Sequence, residues 1–284
     1  MTLDPAGRGL ANVYLVASRQ GIYCATREEC RQLVPGAFFG IACVGQDVFA
    51  FRHDPETREA GLLSGRVIHY RWQAGVLCEQ GVVAAGLDSN CHQLDFFDEA
   101  FFLVDTLNQQ VLEYRPDWSL ASKHRILPHT GADGPDYAHL NSIAGTADSV
   151  WLMLHNKKRG RPSEIVELDR NFHQRSRTQL ACSGCHDIVP MPDGRLLTCL
   201  SPQGEIALVP GETHKIDKLW TRGLVAGADE IVVGSSLFGH RVGRSALPGF
   251  LTFLDPVDYR RTGRLYLPAA PTQIRRIEPK LAKS

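Results

Sequence analysis

Residues 89–114, SNCHQLDFFDEAFFLVDTLNQQVLEY, decide the architecture. HQLDFF (92–97) is a short apolar strand that begins at a histidine, and Asp98-Glu99 is the turn that follows. FFLVD (101–105) is a second strand, TLNQ a second turn, and VLEY (111–114) a third strand. Apolar runs this short, bounded by Asp, Asn and Gln, belong to an antiparallel sheet of hairpins rather than to a helix.

The same grammar recurs along the chain. Four-strand units begin near Phe38, Cys91, Ala138, Cys185 and Thr221, at spacings of 53, 47, 47 and 36 residues. Units of roughly 40–50 residues with four strands are the size of β-propeller blades. The N-terminal segment supplies only three strands, NVYLVAS, GIYCAT and CRQLV, and the C-terminal segment one, TQIRRI (272–277). Joined, they form a sixth blade with TQIRRI innermost, which staples the ring and removes open sheet edges. The expectation is an all-β chain, a single six-bladed β-propeller over residues 1–284, with five or seven blades as alternative counts. A pair of β-sandwiches has no need of a regular unit near 47 residues.

Composition narrows the function classes. The 284 residues are 43% hydrophobic, with zero formal net charge and a pI near 7.2. The densest basic run is KKRGR at 157–161, too short for a nucleic-acid face. No apolar run approaches the roughly 18–20 residues of a membrane span. The first twenty residues lack a charged region followed by an apolar one, so no export signal is expected. Eight cysteines are then reduced thiols, and a cytoplasmic setting is expected.

A propeller predicts where its site lies. The first strand of each blade lines the central channel. Its start and the end of the antiparallel second strand share one face. The first-strand starts are Phe39, His92, His139 with Asn141, His186, Arg222 and Thr272. The second-strand ends are His53, Asp105, His155 with Asn156, Ser201, and the stretch 235–240. Six of the eleven histidines, at 53, 92, 139, 155, 186 and 240, fall on this face, and His92, His139 and His186 are 47 residues apart. Imidazoles converging from neighbouring strands suit a transition-metal site with an open position for substrate. The plain structural reading is that each histidine bonds a neighbouring blade's carbonyl. The expected ligands are His92, His139, His155, His186 and His240, and the expected cofactor is a divalent transition metal (Fe, Cu or Zn). Asp105, Asn141 and Arg241 are the expected catalytic or supporting groups.

Other features are weighed against simpler readings. Cys182-Ser-Gly-Cys185-His186 matches the haem-attachment pattern CxxCH. A core cysteine pair, with Cys185 facing away from the channel and His186 facing it, explains it as well. Asp95, Asp98, Glu99, Asp148, Asp193 and Asp229 fit turn chemistry. The basic loop LHNKKRGRPSE (154–164) and GHRVGRS (239–245), with His240, Arg241 and Arg244, together favour an anionic small molecule.

HLNSIAGTADSVWLMLHN (139–156), SEIVELD (163–169) and CHDIVPMPDGRLLTC (185–199) resemble blades of arylsulfotransferase-like β-propellers, over roughly residues 90–210. The resemblance implies sulfate transfer through a channel histidine, aided by other histidines, an asparagine and an arginine. His139 and Asn141 match the family's His-x-Asn pair and His186 its His-Asp histidine. His155-Asn156 stand where the family carries its arginine. Three functions are therefore carried forward: a metal-dependent enzyme on a small molecule, a metal-free transferase using a channel histidine with Arg222, Arg241 or Arg244, and a non-catalytic interaction scaffold.

Overall fold

The computed structural model describes residues 12–53, 63–127, 137–237 and 247–277. The chain enters with β1 (Val13–Ser18), β2 (Gly21–Ala25) and β3 (Cys30–Pro35). Blade 1 is β4 (Ala37–Val44), β5 (Asp47–His53), β6 (Gly65–Gln73) and β7 (Val76–Leu87). Blade 2 is β8 (Leu94–Phe97), β9 (Ala100–Asp105), β10 (Gln110–Tyr114) and β11 (Leu120–Arg125). Blade 3 is β12 (Leu140–Gly145), β13 (Val150–Leu154), β14 (Glu164–Leu168) and β15 (Gln174–Gln179). Blade 4 is β16 (His186–Pro190), β17 (Leu196–Leu200), β18 (Glu205–Val209) and β19 (Thr213–Lys215). Blade 5 is β20 (Trp220–Ala226), β21 (Ile231–Ser236), β22 (Gly249–Leu254) and β23 (Arg261–Leu267), and β24 (Pro271–Ile277) closes the ring.

The result is six four-stranded antiparallel sheets, a six-bladed β-propeller. Blade 6 has the order β24-β1-β2-β3, with Val16 opposite Ile274, so the C-terminal strand is innermost as the sequence predicts. No helix among the described residues is long and apolar enough to cross a membrane.

Packing follows from side-chain alternation. In β9, Phe101 and Leu103 join the apolar cluster shared with blade 1, while Phe102 and Val104 join the cluster shared with blade 3. FFLV is unbroken because both faces of the blade are covered, and burying four such side chains stabilises by ~1.5–3 kcal/mol each. Every blade interface carries one such cluster. Outward, the chemistry fades to polar: β15 reads QRSRTQ and every residue of it is exposed, which blunts the outer edge against further pairing. Where blades 1 and 2 meet, the chain requires glycine at 40. A Cβ there would stand 2.5 Å from Leu94 N and 2.9 Å from His92 O.

Some element edges differ from expectation. HQLDFF does not start as a strand at His92, because β8 begins at Leu94. The fourth strand of blade 2, beyond the stretch quoted above, is LASKHR, with Gln110 paired to Arg125.

Candidate functional site

The inner strands share one deformation at the channel mouth. The pairing of inner with second strand slips between Phe38 and Gly40 in blade 1, between Leu140 and Ser142 in blade 3, and between His186 and Val189 in blade 4. It slips between Thr221 and Leu224 in blade 5, and in blade 6 where Gln273 and Pro271 face Ala17 and Ser18. In blade 2, His92 N–H donates to Val104 O and Val104 N–H to Gln93 O, so two residues again oppose one. A bulge leaves a residue outside the ladder and re-aims its side chain. The bulged segments supply the walls of one cavity of about 210 Å³, lined by Phe39, His92, Gln93, Asn141, Ser142, His186, Asp187, Arg222, Thr272 and Gln273.

These residues divide into bridges and presented groups. Gln93 joins blades 2 and 3 in both directions: its amide donates to Ile143 O (2.8 Å) and its oxygen accepts from Ile143 N–H (3.0 Å). Gln273 accepts from Ile41 N–H (2.8 Å) and donates to Leu94 O (3.1 Å). Ser142 Oγ accepts from Asp187 N–H, Asp187 Oδ2 accepts from Gly223 N–H, and Thr272 donates to Phe38 O. These are inter-blade ties, and their buried polar groups are satisfied as such groups must be.

The histidines form a continuous arc. Ring centroids are 4.8 Å apart for His92 and His139, 4.9 Å for His139 and His155, and 5.1 Å for His155 and His186. Phe39 extends the arc, 5.2 Å from His92 and 4.8 Å from His53, and Trp220 ends it 6.1 Å from His186. Cations flank it: the Arg19 and Arg222 guanidiniums lie 5.1 and 5.6 Å from the Phe39 ring, and Lys157 Nζ lies 5.3 Å from that of Trp220. His139 and Asp187 hold positive φ values of 54° and 63°. Strained backbone of this kind at a mouth is a pointer toward a site.

Two imidazoles have defined states. Thr106 Oγ1 donates to Leu140 O at 2.6 Å, so its one proton is committed. It must therefore accept from His92 Nδ1 at 2.8 Å, and Asn90 O accepts from the same nitrogen at 2.7 Å. The neutral His92 ring thus carries its proton on Nδ1 and its lone pair on Nε2. His186, hydrogen bonded through Nδ1 to Ser201 Oγ at 3.0 Å, is held well below the ordinary imidazole value, first by burial and then by Arg222 and the other histidines. Burial also raises the Asp187 carboxyl, against the Gly223 N–H and Arg222. Asn141 donates to Cys185 O at 2.8 Å, while its buried Oδ1 has no hydrogen-bond partner among the described residues.

Of the expected site residues, the structure brings together His92, His139, His155, His186 and Asn141. His240 and Arg241, with Arg244, lie outside the described residues. Asp105 is placed elsewhere: its carboxylate accepts from Asn108 N–H and Nδ2 and from Gln110 Nε2, so it orders the β9–β10 turn, and Thr106 is the group that meets His92. Among the described residues no set of three His, Cys, Asp or Glu side chains has a metal-holding arrangement. Haem attachment through 182–186 does not fit either, because Cys185 is fully buried and His186 belongs to the arc. Asp187, Gln93, Ser142 and Gln273 were missed, because strict strand alternation turns them away from the mouth. Arg19 was missed although β1 is the second strand of its blade.

No family model matches the chain, and no match is found among curated proteins. Solved structures do resemble it. A chain of the nidogen–laminin complex superposes with TM-score 0.69 at 9% identity, over 93% of this chain and 97% of that one. An oxidoreductase structure described as a glucose dehydrogenase, from Thermus thermophilus, gives 0.58 at 14% identity, over 82% and 88%. A catalytically inactive virginiamycin B lyase from Staphylococcus aureus with quinupristin gives 0.51 at 14%, over 83% and 71%. At such identities the likeness shows the fold alone. The neighbours include enzymes and a complex-forming protein, and an arylsulfotransferase-like family is not shown.

Proposed function

We propose that the mouth binds a small anionic molecule and acts on it by metal-free acid–base or group-transfer chemistry. The observation that carries this reading is the convergence of Arg222, the His92 and His186 rings and Asn141 on one cavity. The cavity is open to solvent, so it suits the anionic end of a molecule, the remainder lying toward solvent. Arg222, with Arg19 and Lys157 nearby, supplies positive potential, from blade 5 rather than from the blade-3 position where the arylsulfotransferase-like pattern has its arginine. His92, fixed with its lone pair on Nε2, has the form of a nucleophile or general base. His186, neutral and buried, can polarise without adding charge. The orphan Asn141 Oδ1 asks for a hydrogen-bond donor. The ligand class is therefore an oxyanion with an adjacent O–H, such as hydrogen phosphate or a hydroxy acid, in preference to sulfate.

A second reading is supported by the ring spacings of 4.8–5.1 Å, near enough for two imidazoles to share an ion. His92, His139, His155 and His186, with His240, would then hold a divalent transition metal (Fe, Cu or Zn). The non-catalytic scaffold has the nidogen–laminin likeness in its favour. A cytoplasmic setting goes with the first reading, supported by eight cysteines that are all free thiols.

Calorimetric titration of metal-stripped protein with phosphate and with sulfate, beside elemental analysis of untagged protein as purified, separates these readings. Saturable phosphate binding that is tighter than sulfate binding and weakened roughly ten- to a hundredfold by Arg222→Ala is the expected result. One equivalent of Fe, Cu or Zn that disappears in His139→Ala/His186→Ala would replace the first reading by the second. Neither anion nor metal would leave the scaffold.

A further inference from the structure

The segment Cys182-Ser-Gly-Cys185 has a use that the haem and core-pair readings both overlook. Its two sulfurs are 3.6 Å apart, and Cys185 Sγ–H points to Cys182 O at 3.3 Å. Cys182 is half-buried and Cys185 fully buried, the asymmetry of an attacking and a resolving thiol. Gly184 between them has φ +83°, which lets four residues turn back on themselves. The segment is also wired to the mouth. Gly184 N–H donates to His155 O (3.0 Å), and Cys185 O accepts from Asn141. Ser163 accepts from Cys185 N–H and donates to His155 O, while its own N–H donates to Cys182 O. A Cβ on Gly184 would lie 3.3 Å from Trp220 and 3.4 Å from His155 Nε2, so the turn rests on the end of the histidine arc.

We propose that Cys182 and Cys185 are a redox-active dithiol that closes reversibly to a disulfide by exchange with a low-molecular-weight disulfide, and that closure is transmitted to His155 and Asn141. The Cys182 thiolate attacks one sulfur of the small disulfide, forming a mixed disulfide and expelling one thiolate. Cys185 then loses its proton and attacks Cys182 Sγ, expelling the second small thiol. Two protein thiols are oxidised by two electrons and one small disulfide is reduced to two thiols. Closure draws the sulfurs from 3.6 Å to ~2.05 Å, a displacement that the Ser163, Gly184 and Asn141 hydrogen bonds cannot ignore. The contact between the two sulfurs lowers the Cys182 thiol below its ordinary value and, with burial, raises the Cys185 thiol, so Cys182 is the attacking sulfur and Cys185 the one that resolves.

Both cysteines lie in one tryptic peptide, 178–195. Equilibration of the full chain in glutathione buffers, acid quench, alkylation and mass spectrometry of that peptide test the proposal. The expected result is a peptide lighter by two hydrogens under excess oxidised glutathione. It should revert to a doubly alkylated peptide under reduced glutathione, with the fluorescence of Trp220 changing in step. Cys182→Ser, at the half-buried position, should abolish both changes while the protein stays folded by circular dichroism. A peptide that stays doubly alkylated, or that carries only glutathione on Cys182, overturns the dithiol. A disulfide that forms without any change at Trp220 overturns its coupling to the mouth.

Discussion

The two halves of the channel mouth occupy equivalent positions in the same ring and carry different chemistry. Blades 2, 3 and 4 present His92, His139, His155 and His186, ring against ring. Blades 5, 6 and 1 present Arg222, Arg19 and the Phe39 ring that both guanidiniums approach, with Thr272 turned to Phe38 O. Backbone geometry is shared, because every inner strand bulges at the mouth. The difference lies in the side chains each half presents: a run of four imidazoles on one side, two guanidiniums over the Phe39 ring on the other. A propeller supplies six aimed positions, and function lies in the residues placed there.

The most severe test attacks what both halves depend on. Gly40→Ala puts a Cβ within 2.5 Å of the Leu94 backbone nitrogen at the join of the halves. Overpacking against backbone costs ~1–3 kcal/mol or more, so chemical denaturation should show loss of that size, and the phosphate site should weaken with it. Next, Arg222→Ala removes the field while leaving the arc. The loss of one charge-assisted contact, about 1.5–3 kcal/mol, predicts phosphate affinity lower by roughly ten- to a hundredfold with folding unchanged. Thr106→Val acts on the other half, removing one of the two acceptors that hold the His92 Nδ1 proton while Asn90 O stays. It should lower any turnover by more than it lowers phosphate affinity, a split visible as kcat against KM.

The pH test addresses the histidine half alone. His186 titrates well below its ordinary 6.5 when folded. The folded state therefore refuses a proton that the unfolded state accepts, and stability falls as pH drops below about 6.5. Replacing the ring by glutamine should flatten that part of the stability–pH curve relative to the parent, over pH 6.5 to 5. Asp105→Ala is the smallest expected effect on the mouth. It unties Asn108 and Gln110 and should cost ~1–3 kcal/mol of stability with anion binding unaltered.

The fold was legible because both faces of each blade are buried. FFLV, VWLML and LLTCL announce themselves as short apolar runs at a regular spacing, and TQIRRI could be assigned to the ring's closure because three strands at the other end lacked a fourth. The site was legible as far as strand starts: Phe39, His92, Asn141, His186, Arg222 and Thr272 all line the cavity. What the sequence hid was the bulge. Alternation predicts that Gln93, Ser142, Asp187 and Gln273 face the blade interfaces, and a bulge overrides alternation without a residue-level mark beyond Gly40 and Gly223. Asp105 misled for a related reason. A carboxylate at a strand end can look into the mouth or fold onto its own turn, and Asn108 with Gln110 decides it.

The central claim is that these bulges assemble one anion site from both halves. Proton–nitrogen NMR of the imidazoles during a phosphate titration tests it most directly. The account predicts saturable shifts at His92, His139, His155 and His186 with a common affinity, one that falls roughly ten- to a hundredfold in Arg222→Ala. No saturable shift, or the same titration in Arg222→Ala, would contradict it.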